Sequence, residues 1–236
     1  MSEQIRISAK NLGALALDEF CPRCSWIKLR LRDKIPYQIF PGIFSSIDSY
    51  NKRVVHSWIE KHGGRPPWLD GLGEVVAYRE PPHFSKFNIV DDEYNILLTG
   101  SPDGVFVRGD KSHLIVDYKT AKFTGAQDKL LPMYDAQLNA YALIGEQRGL
   151  APVSGLALIY MEPKTGDEVA SRDENHREDG FIMGFSANIF TVTLAPTKLR
   201  PLLAKTREIY ELTSPPVGRA GCKDCPLVDQ LVGLVK

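Results

Sequence analysis

The chain has 236 residues, 43% of them hydrophobic, with 29 basic and 29 acidic residues and a formal net charge of zero. That length suits one elaborated domain or two small ones, and the even charge weighs against binding nucleic acid through a strongly basic surface alone. No apolar run is long enough to span a bilayer and the first ten residues lack a signal peptide's apolar stretch, so a cytoplasmic protein without a membrane partner is expected.

Residues 11–33 read as helical on both sides of Cys21-Pro-Arg-Cys24, with Leu12, Leu15, Ala16 and Phe20 before the pair and Trp26, Ile27, Leu29 and Leu31 after it. Pro36 and Pro41 break that pattern. Ile47, Tyr50, Val54, Val55, Trp58 and Ile59 predict a second amphipathic helix over about 46–61, and Gly63-Gly64-Arg65-Pro66-Pro67 ends it. From Gly73 the character turns to strands: 74–80, stopped by Pro81-Pro82, then 94–99, 104–108 and 113–118. The turn Gly109-Asp-Lys-Ser112 makes the last two an antiparallel hairpin. After a polar loop over 120–129, residues 134–147 predict a strong helix. The apolar stretches 154–161 and 181–194 read as strands around a charged loop, and 197–212 as the last long helix. Helix, three or four strands, helix, strand is the order of a mixed α/β core with helices packed on a short twisted sheet.

The chemistry concentrates in Gly100-Ser-Pro-Asp103-Gly104 and Ile115-Val-Asp117-Tyr118-Lys119-Thr120. Two carboxylates at the mouth of a sheet suit a hard divalent cation, leaving coordination positions for water and a phosphate oxygen. Asp117 and Lys119 are two apart on a strand, so their side chains leave the same face. The main-chain carbonyl of Tyr118 is a further candidate ligand, and Lys119 can aim its ammonium at a phosphate. An acidic-x-basic triplet is common as a surface ion pair. This one precedes a helix carrying Gln137 and Tyr141, four apart and so on one helical face.

In that order Gly100-x-x-Asp103, Asp117-x-Lys119 and Gln137-x-x-x-Tyr141 resemble the successive motifs of the PD-(D/E)XK nuclease superfamily, in the branch of RecB-type and CRISPR-adaptation nucleases. The resemblance implies an α/β, restriction-endonuclease-like core with a mixed central sheet flanked by helices. It implies hydrolysis of DNA phosphodiesters, of exonuclease or end-processing type, with magnesium or manganese held by Asp103 and Asp117. Lys119 would be the catalytic lysine, with Gln137 and Tyr141 shaping the site or touching the strand. Members of the branch place a histidine or glutamate on the helix before the sheet as a further ligand, which here points to His56, with Glu74 a weaker substitute. The implied partners are DNA, single-stranded or with free ends, and a helicase or other DNA-processing proteins. Hydrolysis of RNA, or a non-catalytic nucleic-acid-binding subunit on the same fold, are the competing readings.

Four cysteines occur as two pairs, Cys21/Cys24 and Cys222/Cys225, and the chain has no others. Two such knuckles read as one tetrathiolate site, for which zinc and an iron–sulfur cluster are both suitable. A shared site would join the two ends of the chain in a terminal lobe of about 11–34 and 214–236, around a nuclease core of about 46–213 in a single domain spanning 1–236. The family resemblance favours iron–sulfur, although its members commonly divide the ligands one before the core and three after, not two and two. Lys28, Arg30, Arg32 and Lys34 would be spread around a helix, so Lys119, Lys122 and Lys129 are the better candidates for phosphate contacts. Trp26 and Trp58 sit at core-like positions and read as packing, whereas Trp68 could stack on an unpaired base.

Overall fold

The structure is a computed structural model that describes residues 3–32, 34 and 41–234. The break expected at Pro36 lies outside the described residues. In chain order the elements are β1 (Ile5–Ser8), α1 (Ala9–Gly13), α2 (Pro22–Arg30), α3 (Gly42–His62), β2 (Ala77–Arg79), β3 (Asn88–Asp91), β4 (Ile96–Thr99), β5 (Gly104–Val107) and β6 (His113–Lys119). Then follow α4 (Leu131–Gln147), β7 (Val153–Pro163), α5 (Asp167–Ala170), β8 (His176–Arg177), β9 (Gly180–Phe181), β10 (Phe185–Val192), α6 (Leu199–Glu211) and α7 (Asp224–Leu234).

The central sheet has the order β10-β7-β6-β5-β2. Its middle pair, β6 and β7, is parallel, and the flanking pairs are antiparallel. The β5–β6 hairpin forms as its turn predicts, with Gly104 opposite Val116 and Val107 opposite His113. Every residue of β6 except Lys119 is buried, as expected for a central strand covered on both faces.

Alternation along β6 sorts the two halves of the core. Ile115 packs with Leu156, Leu158 and Tyr160 of β7 and with Leu138 and Ala142 of α4. Leu114, Val116 and Tyr118 join Ala157 and Ile159 on the opposite face, where Val55 and Ile59 of α3 cover them. Helix α3 therefore lies on one face and α4 on the other. This mixed sheet flanked by helices is the architecture the family resemblance implies.

Two departures from the sequence reading matter for the site. The strand expected at 94–99 forms as β4, but in a separate three-stranded sheet of order β1-β4-β3, where β1 runs parallel to it. That small sheet and α1 pack on the side of α4 away from the central sheet, so α4 is enclosed nearly all round and residues 136–142 are buried without interruption. Small residues permit the fit: a Cβ on Gly13 of α1 would stand 2.4 Å from the Met133 carbonyl oxygen. The second departure is at the termini, where the expected helix over 11–33 divides into α1, a short 3-10 turn and α2, and the chain after Pro215-Pro216 adds α7. No helix among the described residues is long and apolar enough to cross a membrane.

Candidate functional site

Asp103 lies just ahead of β5, where the hairpin's ladder runs out. Gly104 and Val116 form the last pair, so the Tyr118 amide on β6 has no strand partner on that side and donates to Asp103 Oδ2 at 3.0 Å. One carboxylate oxygen thus completes the sheet's hydrogen bonding and fixes the side chain over its end. Gly104 is required by crowding: a Cβ there would meet Val116 Cγ2 at 2.9 Å.

Asp117 and Lys119 leave β6 on the α4 face, as the strand period predicts. Asp117 is 4% exposed and its Oδ1 accepts from Gln137 Nε2 at 3.1 Å. Lys119 Nζ stands 2.5 Å from Asp117 Oδ2 and 3.9 Å from the centre of the Tyr134 ring, so the ammonium is held between a carboxylate and an aromatic face. Burial first, and then the nearby charge of Asp103, push the Asp117 carboxyl up to about 6 against the pull of Lys119.

Gln137 and Tyr141 form the support beneath these groups. Gln137 Nε2 also donates to Tyr141 Oη at 2.7 Å, and the Ser101 main chain bonds to the same hydroxyl. The Tyr141 ring lies directly on the main chain at Gly100, where a Cβ would come within 2.5 Å of it. The glycine in Gly100-x-x-Asp103 is therefore needed to let Tyr141 clamp the turn that carries Asp103. Gln137 and Tyr141 are both 5% exposed, which suits shaping the site and not contact with a strand.

Two residues that sequence reasoning missed come from α3. Lys52 Nζ lies 2.7 Å from Asp103 Oδ1 and 2.7 Å from Asp48 Oδ2, bridging the two carboxylates. Burial alone would weaken the Lys52 ammonium, but Asp103 and Asp48 outweigh it and raise its pKa. The signal in the sequence was only an i,i+4 acid–base pair on a helix, and it gave no hint that the pair reaches a hairpin more than fifty residues away.

His56 lies one turn beyond Lys52, on the sheet face opposite Asp117. Its ring packs on Tyr78 with centroids 3.5 Å apart, its buried Nε2 has no hydrogen-bond partner, and burial lowers its pKa. The structure does not join it to Asp103 and Asp117 in a three-ligand group. Among the described residues the group of three or more metal-binding side chains with all ligand atoms within 4.8 Å is Cys21, Cys24, Cys222 and Cys225. Glu74 sits instead against Gly109, at the far end of the β5–β6 hairpin.

A family model of the PD-(D/E)XK nuclease superfamily matches residues 46–229. The chain belongs to the PD-(D/E)XK nuclease superfamily. Among solved structures this superfamily member is similar to a phage-related exonuclease from Haemophilus somnus 129PT, with 10% identity, TM-score 0.46, and 99% of this chain and 98% of that one covered. It is also similar to SSO0001, with 12% identity, TM-score 0.43, and 91% of this chain and 80% of that one covered. No curated protein matches the sequence.

The remaining basic and aromatic residues divide between packing and surface. Arg30 donates to the Tyr210 and Leu212 carbonyls and covers the Tyr210 ring, while Arg32 pairs with Glu3, so the basic run after the first knuckle makes no single patch. Trp26 Nε1 donates to the Leu212 carbonyl, a packing role as expected. Trp58 meets Trp68 edge-on at 5.1 Å, and both line a shallow cleft with Tyr50, Arg53 and Lys61. Lys122 and Lys129 are exposed on the loop leading to α4.

Proposed function

We propose that the protein is a metal-dependent nuclease that hydrolyses DNA phosphodiester bonds, of exonuclease or end-processing type, with magnesium or manganese as the metal. The observation that carries the reading is the buried Asp117 carboxylate, held beside Lys119 and within the electrostatic reach of Asp103 at one end of the sheet. The donor set fits such an ion. It consists of hard carboxylate oxygens, and the ionised form of Asp117 is opposed by burial and by a neighbouring negative charge, both of which a dication offsets.

Asp103, Asp117 and the main-chain carbonyl of Tyr118 would hold the ion, which when bound activates a water molecule and neutralises charge on the phosphate. The chain's own residues do the rest. Gln137 fixes the orientation of Asp117, and Tyr141 fixes the turn bearing Asp103. Lys119, restrained by Tyr134, presents an ammonium to the negative charge that grows on the phosphoryl oxygens. With the ion held, Lys52 would release Asp103 Oδ1 and keep its pair with Asp48 or meet a phosphate. The choice of DNA, with single-stranded or free ends, rests on the family branch that the motifs resemble.

One observation favours a second reading, a non-cleaving nucleic-acid-binding subunit. Lys52 pairs with Asp103 and Lys119 with Asp117, so each carboxylate has a lysine partner within the chain. The test is incubation of the purified chain with end-labelled single- and double-stranded DNA and RNA, in manganese or EDTA, beside Lys119→Ala. Cleavage in manganese that falls by about two orders of magnitude or more in the variant supports the nuclease. Wild type no more active than Lys119→Ala on every substrate sinks it, and retained DNA binding then favours the second reading.

A further inference from the structure

The two cysteine knuckles meet, and their geometry says what kind of metal group they can hold. Cys21 immediately precedes α2 with Cys24 in its first turn, and Cys225 lies in the first turn of α7. Cys222 sits in a turn that follows Gly221 at φ +71° and closes with its amide donating to the Arg219 carbonyl at 3.0 Å. All four cysteines are free thiols. The Sγ–Sγ separations are 3.6 Å for Cys21–Cys225, 3.7 Å for Cys24–Cys222 and 3.8 Å for Cys24–Cys225, and all four sulfurs lie within 4.8 Å of one another.

These distances discriminate between the two groups that the spacing left open. Zinc bound by four thiolates at about 2.3 Å in a tetrahedron requires sulfurs about 3.8 Å apart. A four-iron cluster gives each thiolate its own iron and spreads neighbouring cysteine sulfurs to about 6 Å. A two-iron cluster would separate the cysteines of one iron from those of the other by more than about 5 Å. The observed set is too tight for either cluster and matches one ion.

The surroundings agree. Arg219 N–H donates to Cys21 Sγ at 3.3 Å, the type of contact that stabilises metal-bound thiolates. A Cβ on Gly218 would stand 2.6 Å from Cys225 Sγ, so the loop lies close against that sulfur. Four thiolates on a dication carry two net negative charges. Lys28, Arg219 and Lys223 line the adjoining cavity of about 490 Å³, and the Arg23 guanidinium senses Cys24 and Cys225.

We propose that Cys21, Cys24, Cys222 and Cys225 hold a single tetrahedral zinc ion and not the iron–sulfur cluster that the family resemblance implies. This does not depend on the nuclease reading. The full chain is produced with both iron and zinc supplied, purified anaerobically, and assayed for metals and acid-labile sulfide. About one zinc per chain, no acid-labile sulfide and no absorption near roughly 400 nm are expected. Replacement by cobalt should give the visible bands of a tetrahedral thiolate site, and Gly218→Val should weaken cobalt binding by at least about tenfold through crowding of Cys225. Two or four irons with acid-labile sulfide would overturn the proposal. One iron without sulfide would overturn the choice of zinc, and a chain that retains no metal and takes up no cobalt would remove the site altogether.

Discussion

Gly100→Ala would drive a methyl carbon into the Tyr141 ring, since the Cβ position is 2.5 Å from Cε1 and 2.8 Å from Cδ1. Overpacking of this kind costs about 1–3 kcal/mol. The expected result is that loss of stability in urea melts together with a sharp fall in cleavage, because the ring clamps the turn bearing Asp103. Unchanged stability would mean that the turn yields and the clamp is unimportant. Tyr141→Phe keeps the ring but removes the hydroxyl that receives Gln137, and should cost about 1 kcal/mol with a smaller fall in rate. Asp117 adds a pH dependence. Its folded-state pKa of about 6 lies above the unfolded value near 3.9. Its stabilising contribution is therefore complete below about pH 4 and is lost as pH rises through about 6. Protons also compete with a cation for the same oxygens, so cleavage should fall below about pH 6. Rate–pH profiles at two manganese concentrations check this: the acid limb should move to lower pH at the higher concentration, and a fixed limb would count against it.

At the level of elements, one buried asparagine holds the end of β10 to α4. Asn139, fully buried, donates to the Asp135 and Thr193 carbonyls and accepts from the Ala195 amide at 2.7 Å. Asn139→Leu would leave the Thr193 carbonyl and the Ala195 amide without partners, at roughly 2–4 kcal/mol in denaturant melts. Helix α3 supplies a different expectation. Lys52→Met removes the cation between Asp48 and Asp103, so manganese should bind more tightly by calorimetry even where cleavage drops. Weaker manganese binding would show that Lys52 supports the carboxylates and does not compete with the metal.

These contrasts explain what the sequence made legible. Asp117, Lys119, Gln137 and Tyr141 could be read because a strand period and a helical turn fix which side chains share a face. Asp48 and Lys52 could not, because their importance comes from where α3 crosses the end of the hairpin. The strand over 94–99 was legible, but its sheet was not: β1 has only four residues and pairs with it across about ninety residues of chain. His56 was sought on the helix that does reach Asp103, through Lys52 one turn earlier, and its own ring packs on Tyr78.

At the scale of the whole molecule, the cysteines tie sequence positions 204 apart, while Arg23 of α2 makes a two-pronged pair with Asp229 of α7. By analogy with a covalent cross-link, closing a loop of that size is worth at most on the order of 5 kcal/mol. A chelator strong enough to strip the ion should lower the melting temperature, as should Cys225→Ser, whereas Arg23→Ala should have little effect because its pair is exposed. Equal melting temperatures with and without the ion would show that packing of α2 against α6 alone secures the lobe.

The same link has a consequence in time. During synthesis, Cys21 and Cys24 leave the ribosome about two hundred residues ahead of Cys222 and Cys225. At about 5–20 residues per second they wait some 10–40 s as a half-site with two ligands. Through that interval β6 and α4 are already made, so the sheet and its acidic cluster can assemble before the lobe is sealed. Metal capture is then a late event of maturation, and nascent chains released short of Cys222 should be recognisable by two thiols open to alkylation.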